Sequence, residues 1–191
     1  MSQTPPTVRA QAAGLRDELQ AVRTRFEAVI ARADTSAIFS RQPASGSWSA
    51  GQCLEHLNHT NRAYLAKLRP ALASAVPGTG DVTAPLLSSW FGRKFAASMD
   101  EQVSFKARAP KSVVPAVTLD RDAVTGEFRR LLGEMEAVLD RSRAIDLNRV
   151  TFPSPLFRLV KMRAGTALRI LLAHMRRHLA QAERALDWHA P

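Results

Sequence analysis

A chain of 191 residues, 46% of them hydrophobic, is long enough to bury one sizeable core and short for two. Its single cysteine, Cys53, excludes an internal disulfide scaffold, and no run approaches the roughly 18 uninterrupted apolar residues of a spanning helix. The net charge of +10 invites nucleic acid or an anionic membrane, but the arginines are scattered over every segment, so solvated helix faces account for them. The polar start, Met1 to Thr7, lacks the charged and apolar regions of a signal peptide. The expectation is one cytoplasmic domain over residues 1–191, with its core at about 8–188 and a flexible segment 1–7, binding neither membrane nor nucleic acid.

From Val8 to about Ala33, Leu15, Leu19, Val22, Phe26, Val29 and Ile30 recur at three and four residues, the pattern of a long amphipathic helix. Asp34 to Ser36 and Arg41 to Ser47, with Pro43 and Gly46, form a turn-rich connection. A second helix is predicted to start at Ser49 or Ala50. Ser49 is followed three residues later by Gln52, a capping box, and Trp48 before it can staple onto the residue four beyond. Leu54, Leu57, Leu65, Leu68 and Leu72 mark its core stripe, and Pro70 predicts a kink or an early stop. At about 100° per residue, His56 falls well off that stripe, facing solvent or a cleft. By the same reasoning Glu55 and Asn58 are solvated.

Val76 to Asp81 and Pro85 read as a connection, Leu86 to Met99 as a short helix carrying Trp90, Phe91 and Phe95, and Asp100 to Thr118 as irregular. Connections this long in one small domain often line a binding site. Asp120 caps a third long helix to about Arg143, with Val124, Phe128, Leu131, Leu132, Met135 and Leu139 inward. After Asp146 to Phe157, broken by Pro153 and Pro155, a last helix spans Thr166 to Trp188. No alternating strand pattern is evident. The fold class is all-α, a four-helix bundle with at least one long crossover.

His174 and His178 lie four apart in the last helix, so both project from one face and a metal ion could take a nitrogen from each. They flank the apolar stripe, where a helix meets its neighbour across a groove. A pair needs a third ligand, and a lone pair at this spacing is a weak signal that reads more readily as surface or capped core histidines. His56 is the obvious donor; His59 is a fourth-ligand candidate, Cys53 a less natural one, and Gln181 can hydrogen-bond a ligand's second nitrogen. His189 lies at a fraying end. Arg158, Lys161 and Arg163 form either a solvated basic face or an anion-binding group.

Trp48-Ser49 with Gln52 and His56-Leu57, and Phe152-Pro153-Ser154-Pro155-Leu156-Phe157 followed by His174, His178 and Gln181, resemble the second-helix and closing motifs of the DinB-like family. These bacterial, DNA-damage-inducible four-helix proteins include thiol-dependent S-transferases and maleylpyruvate isomerases. The similarity spans roughly Leu15 to Leu186, with little to match from Val76 to Thr118. It implies an up-up-down-down bundle and a divalent metal, zinc, nickel or iron, on His56, His174 and His178. An ion on three neutral imidazoles keeps a position open and can activate water for hydrolysis or a low-molecular-weight thiol for attack on a small electrophile. The resemblance favours thiol transfer. A non-catalytic stress-response module with a basic surface is the alternative, and a homodimer is compatible with either.

Overall fold

The computed structural model describes residues 8–44, 46–77, 86, 109–157 and 159–188. Its elements are α1 (Val8–Arg32), α2 (Ser36–Ser40), α3 (Ala50–Ala73), a 3-10 turn (Lys111–Val113), α4 (Arg121–Arg141), a second 3-10 turn (Ser142–Ala144), the strands β1 (Thr151–Pro153) and β2 (Lys161–Arg163), and α5 (Ala164–Asp187). Four long helices thus form an all-α bundle. The expected helix at 86–99 and the residues Trp90, Phe91, Phe95, Arg158 and His189 lie outside the described residues, Leu86 excepted.

The helices begin where short-range chemistry dictates. The Ser49 hydroxyl accepts from the Gln52 N–H at 3.1 Å and the Gln52 side chain accepts from the Ser49 N–H at 3.1 Å, so the capping box starts α3 at Ala50. Asp120 caps α4 by accepting from the Ala123 N–H at 3.0 Å. The α3 helix runs only to Ala73, three residues past Pro70. Two short elements carry no signal in the pattern. Thr35 caps the five-residue α2, which buries Phe39, and β1 pairs antiparallel with β2 across Phe152 and Met162. Three-residue strands are too short to display an alternation of period two.

Each long helix packs on two others: α1 and α3 each contact both α4 and α5. Phe26 and Phe128 meet in the core with ring centroids 4.7 Å apart. Ion pairs fix the directions. Along α1, Arg16, Arg23 and Glu27 pair with Asp140, Glu136 and Arg129 of α4, in reverse order, so these helices are antiparallel. Glu18, Arg25 and Arg32 pair with Arg176, Glu183 and Asp187 of α5 in the same order, so α1 and α5 are parallel. Arg62 and Arg69 of α3 pair with Glu127 and Glu134 of α4, again in the same order. The order of directions is therefore up-down-down-up. This corrects the up-up-down-down order that the resemblance implied. The parallel pair α3 and α4 is what requires the long crossover, because a chain leaving the far end of α3 must return to its near end before α4 can start.

Candidate metal centre

The first three turns of α3 are enclosed on nearly every side. Gln52, Cys53, Leu54, His56, Leu57, Asn58, Thr60 and Asn61 are all buried. His56, 5% exposed, is therefore inside the protein and not on its surface, and it faces α5. Asn58 is likewise buried, donating from Nδ2 to the Val124 carbonyl at 2.9 Å, against the expectation of a solvated side chain. The cleft is thus the right one of the two positions offered for His56, and Asn58 is the misplaced residue: an apolar stripe counts only apolar residues, whereas this polar side chain is buried with a partner.

His56, His174 and His178 converge. One ring nitrogen from each lies within 4.8 Å of the others, and among the described residues no other group of three or more His, Cys, Asp or Glu meets this condition. The rings form a T-shaped set with centroids 4.5 to 5.0 Å apart. His56 and His174 are buried, and His178 is slightly less enclosed. Trp48 walls it, its ring 4.9 Å from that of His56 and 5.8 Å from that of His178.

The hydrogen bonds orient the donors. The Nδ1 of His56 lies 2.6 Å from the Val113 carbonyl, which can only accept, so this nitrogen carries the proton and Nε2 keeps its lone pair. The Nδ1 of His178 lies 3.0 Å from Oε1 of Gln181, the outer contact expected of that glutamine. The Nε2 atoms of His56 and His174 are 3.2 Å apart. Two nitrogens bound to one tetrahedral zinc at 2.0–2.1 Å would be about 3.3 Å apart, so a cation fits this spacing. The buried Nδ1 of His174 has no hydrogen-bond partner among the described residues.

All three imidazoles are held neutral, as ligands must be. Burial lowers the pKa of His56, against the Val113 carbonyl, which raises it. Burial, followed by the neighbouring His178 and His56, puts His174 well below the usual histidine range. Burial foremost, then His56, brings His178 down to about 3. Arg177 acts on both His174 and His178, and Arg184 on His178. Both of these influences come from cations.

The other described candidates supply no ligand atom to the cluster. His59 is not a fourth member; its Nε2 pairs with Glu55 Oε1 at 3.0 Å. Cys53 is fully buried and its thiol pKa is pushed up by burial, the behaviour of a small core residue. Lys161 and Arg163 are exposed on β2, and Arg163 precedes His174 by eleven residues, roughly 16 Å of helix rise.

Residues 18–182 match the model of the DinB superfamily. The chain belongs to the DinB superfamily. No curated protein and no solved structure matches it. The superfamily is metal-binding, and the three-histidine group is where this member brings metal donors together. None of the described helices is long and apolar enough to cross a membrane. The Val113 carbonyl and the cationic flank of Arg177 and Arg184 were not legible in the sequence. A backbone acceptor in a loop has no residue signature, and Arg177 and Arg184 look like any other arginine in an Arg-rich chain.

Proposed function

We propose that this chain is a metal-dependent enzyme in which His56, His174 and His178 would hold a divalent cation and the centre transfers a low-molecular-weight thiol to a small electrophile. The observation that carries the reading is the pair of Nε2 atoms 3.2 Å apart, with the His56 lone pair directed inward by the Val113 carbonyl. A cation held this way supplies Lewis acidity, lowering the pKa of a bound thiol or water.

The protein's own contribution is orientation and charge. Trp48 closes one side of the cluster with an aromatic face, and the positive potential that Arg177 and Arg184 add at the histidines would favour a thiolate over a neutral thiol. Among the described residues no carboxylate belongs to the cluster, so the three imidazoles form a neutral donor set that would leave a cation's charge uncompensated. Zinc, nickel and iron all suit three imidazoles.

Metal-dependent hydrolysis is the second reading, because the same cation would lower the pKa of a bound water; Glu55 and His59, paired at 3.0 Å one turn beyond His56, stand outside the ligand set.

Elemental analysis of protein purified without an affinity tag or chelator tests the centre. It should show near-stoichiometric metal in the wild type and none in His178→Ala. A metal-free wild type would sink the reading. Turnover of the loaded protein then separates the reactions: thiol-dependent loss of an electrophile supports transfer, and thiol-independent ester or amide cleavage supports hydrolysis. Steeply salt-dependent DNA binding that is indifferent to His178→Ala would instead favour a non-catalytic basic module.

A further inference from the structure

The start of α3 is gripped from outside the bundle by the end of the crossover. Residues 109–118 touch it through two backbone carbonyls: that of Val113 accepts from His56 Nδ1 at 2.6 Å, and that of Ala116 accepts from Gln52 Nε2 at 3.3 Å. Val113, at 1% exposure, and Pro115 are buried while Val117 is 89% exposed, so two apolar side chains and two backbone carbonyls anchor the segment. Gln52 is itself held, its Oε1 accepting from the Ser49 N–H at 3.1 Å and from Gln42 Nε2 at 2.9 Å. Gln52 and His56, one turn apart, share a face of α3.

We propose that Gln52 is a positioning residue of the metal centre, acting on His56 through residues 109–118. The proposal rests on the three-histidine reading above. The Val113 carbonyl selects the His56 tautomer whose lone pair points at His174 and His178, and that selection lasts only while the segment stays docked. A cation that withdraws electron density from the ring makes Nδ1–H a stronger donor to Val113. Cation binding and docking therefore favour each other, and by linkage each strengthens the other by the same factor.

A glutamine that merely capped α3 would have no such effect, and Gln52→Glu separates the two roles. Glutamate keeps an acceptor for the Ser49 N–H and places its charge at a helix N-terminus, where it is favourable. It cannot donate to the Ala116 carbonyl, and presents an oxygen to it instead.

Zinc titration of the metal-free proteins, with hydrogen exchange at the Val113 and Val114 amides and thermal unfolding, tests this. Removing a direct outer partner of a ligand typically costs 10- to 100-fold in affinity, so one step further out Gln52→Glu should bind zinc about 3- to 10-fold more weakly. The thermal midpoint of the metal-free variant should be unchanged or higher. Zinc should slow exchange at Val113 and Val114 in the wild type, and less so in the variant. Equal zinc affinity in two zinc-binding proteins would overturn the proposal, as would a loss of affinity matched by a lower midpoint. A wild type that binds no zinc would overturn the metal-centre reading instead.

Discussion

Mild acid should weaken the metal-free protein through its histidine cluster, and the size of the effect follows from burial. An unfolded histidine titrates near 6.5. The folded values lie lower for His56 and His174 and at about 3 for His178, each mainly because burial disfavours the imidazolium. Below about pH 6.5 the unfolded chain binds protons that the folded chain refuses, so stability is full above that pH and falls as pH falls towards the folded values. At about pH 5, one and a half units down, His178 alone forfeits up to about 2 kcal/mol at 1.36 kcal/mol per unit, and about 1 to 2 once its partial exposure is allowed for. His56 and His174 add in the same direction. Carboxylates do not blur this window. Glu127, held at about 2 chiefly by its hydrogen bond from Arg130, and Glu27, lowered chiefly by that from Arg129, forfeit their stabilisation only once the unfolded carboxylates protonate, near pH 4.3. Urea unfolding of chelator-treated protein at about pH 7.5 and 5 reads the loss, and His178→Gln should recover about 1 to 2 kcal/mol of it. A wild-type stability that stays flat between these pH values, or an undiminished slope in His178→Gln, would refute the reasoning.

Zinc at about 100 times its dissociation constant should stabilise the wild type by about 2.7 kcal/mol, raising the thermal midpoint by roughly 5–11 °C, and should leave the midpoint of His178→Ala unmoved. Gly51→Ala places a Cβ 2.4 Å from Cε1 of the fully buried Phe39. Overpacking of about 1–3 kcal/mol should then outweigh a helix-propensity gain of about 1, and a raised midpoint would contradict that packing. Ser49→Ala removes the capping-box acceptor and should cost about 1 kcal/mol, read as a midpoint lower by roughly 2–4 °C.

The helices were legible because their inward residues are apolar and recur at the helical period, as Leu15 to Ile30 do in α1. The capping box at Ser49 and Gln52 marked the start of α3 at Ser49 or Ala50, and the helix begins at Ala50. Directions were not legible, since they depend on which arginine meets which acid across the bundle, and Glu18 could have faced any neighbour. The site was half legible. The spacing of His174 and His178 is local and survives in the sequence, whereas His56 owes its place to an α3 so enclosed that its polar residues are buried along with its leucines. His56 was the obvious third donor by residue type but not by its place on the helix, and only the resemblance completed the set; the structure supplies the reason in the contact with Val113.

His56 and His174 are 118 residues apart in the chain. A nascent polypeptide that has released α1, α3 and α4 from the ribosome still owns only one of the three nitrogens. Until α5 emerges and seats, the three-histidine group does not exist, so an ion it would hold must await completion of the bundle. A truncated or misassembled copy would lack that group, and occupancy, where it occurs, would double as a report that the molecule was finished.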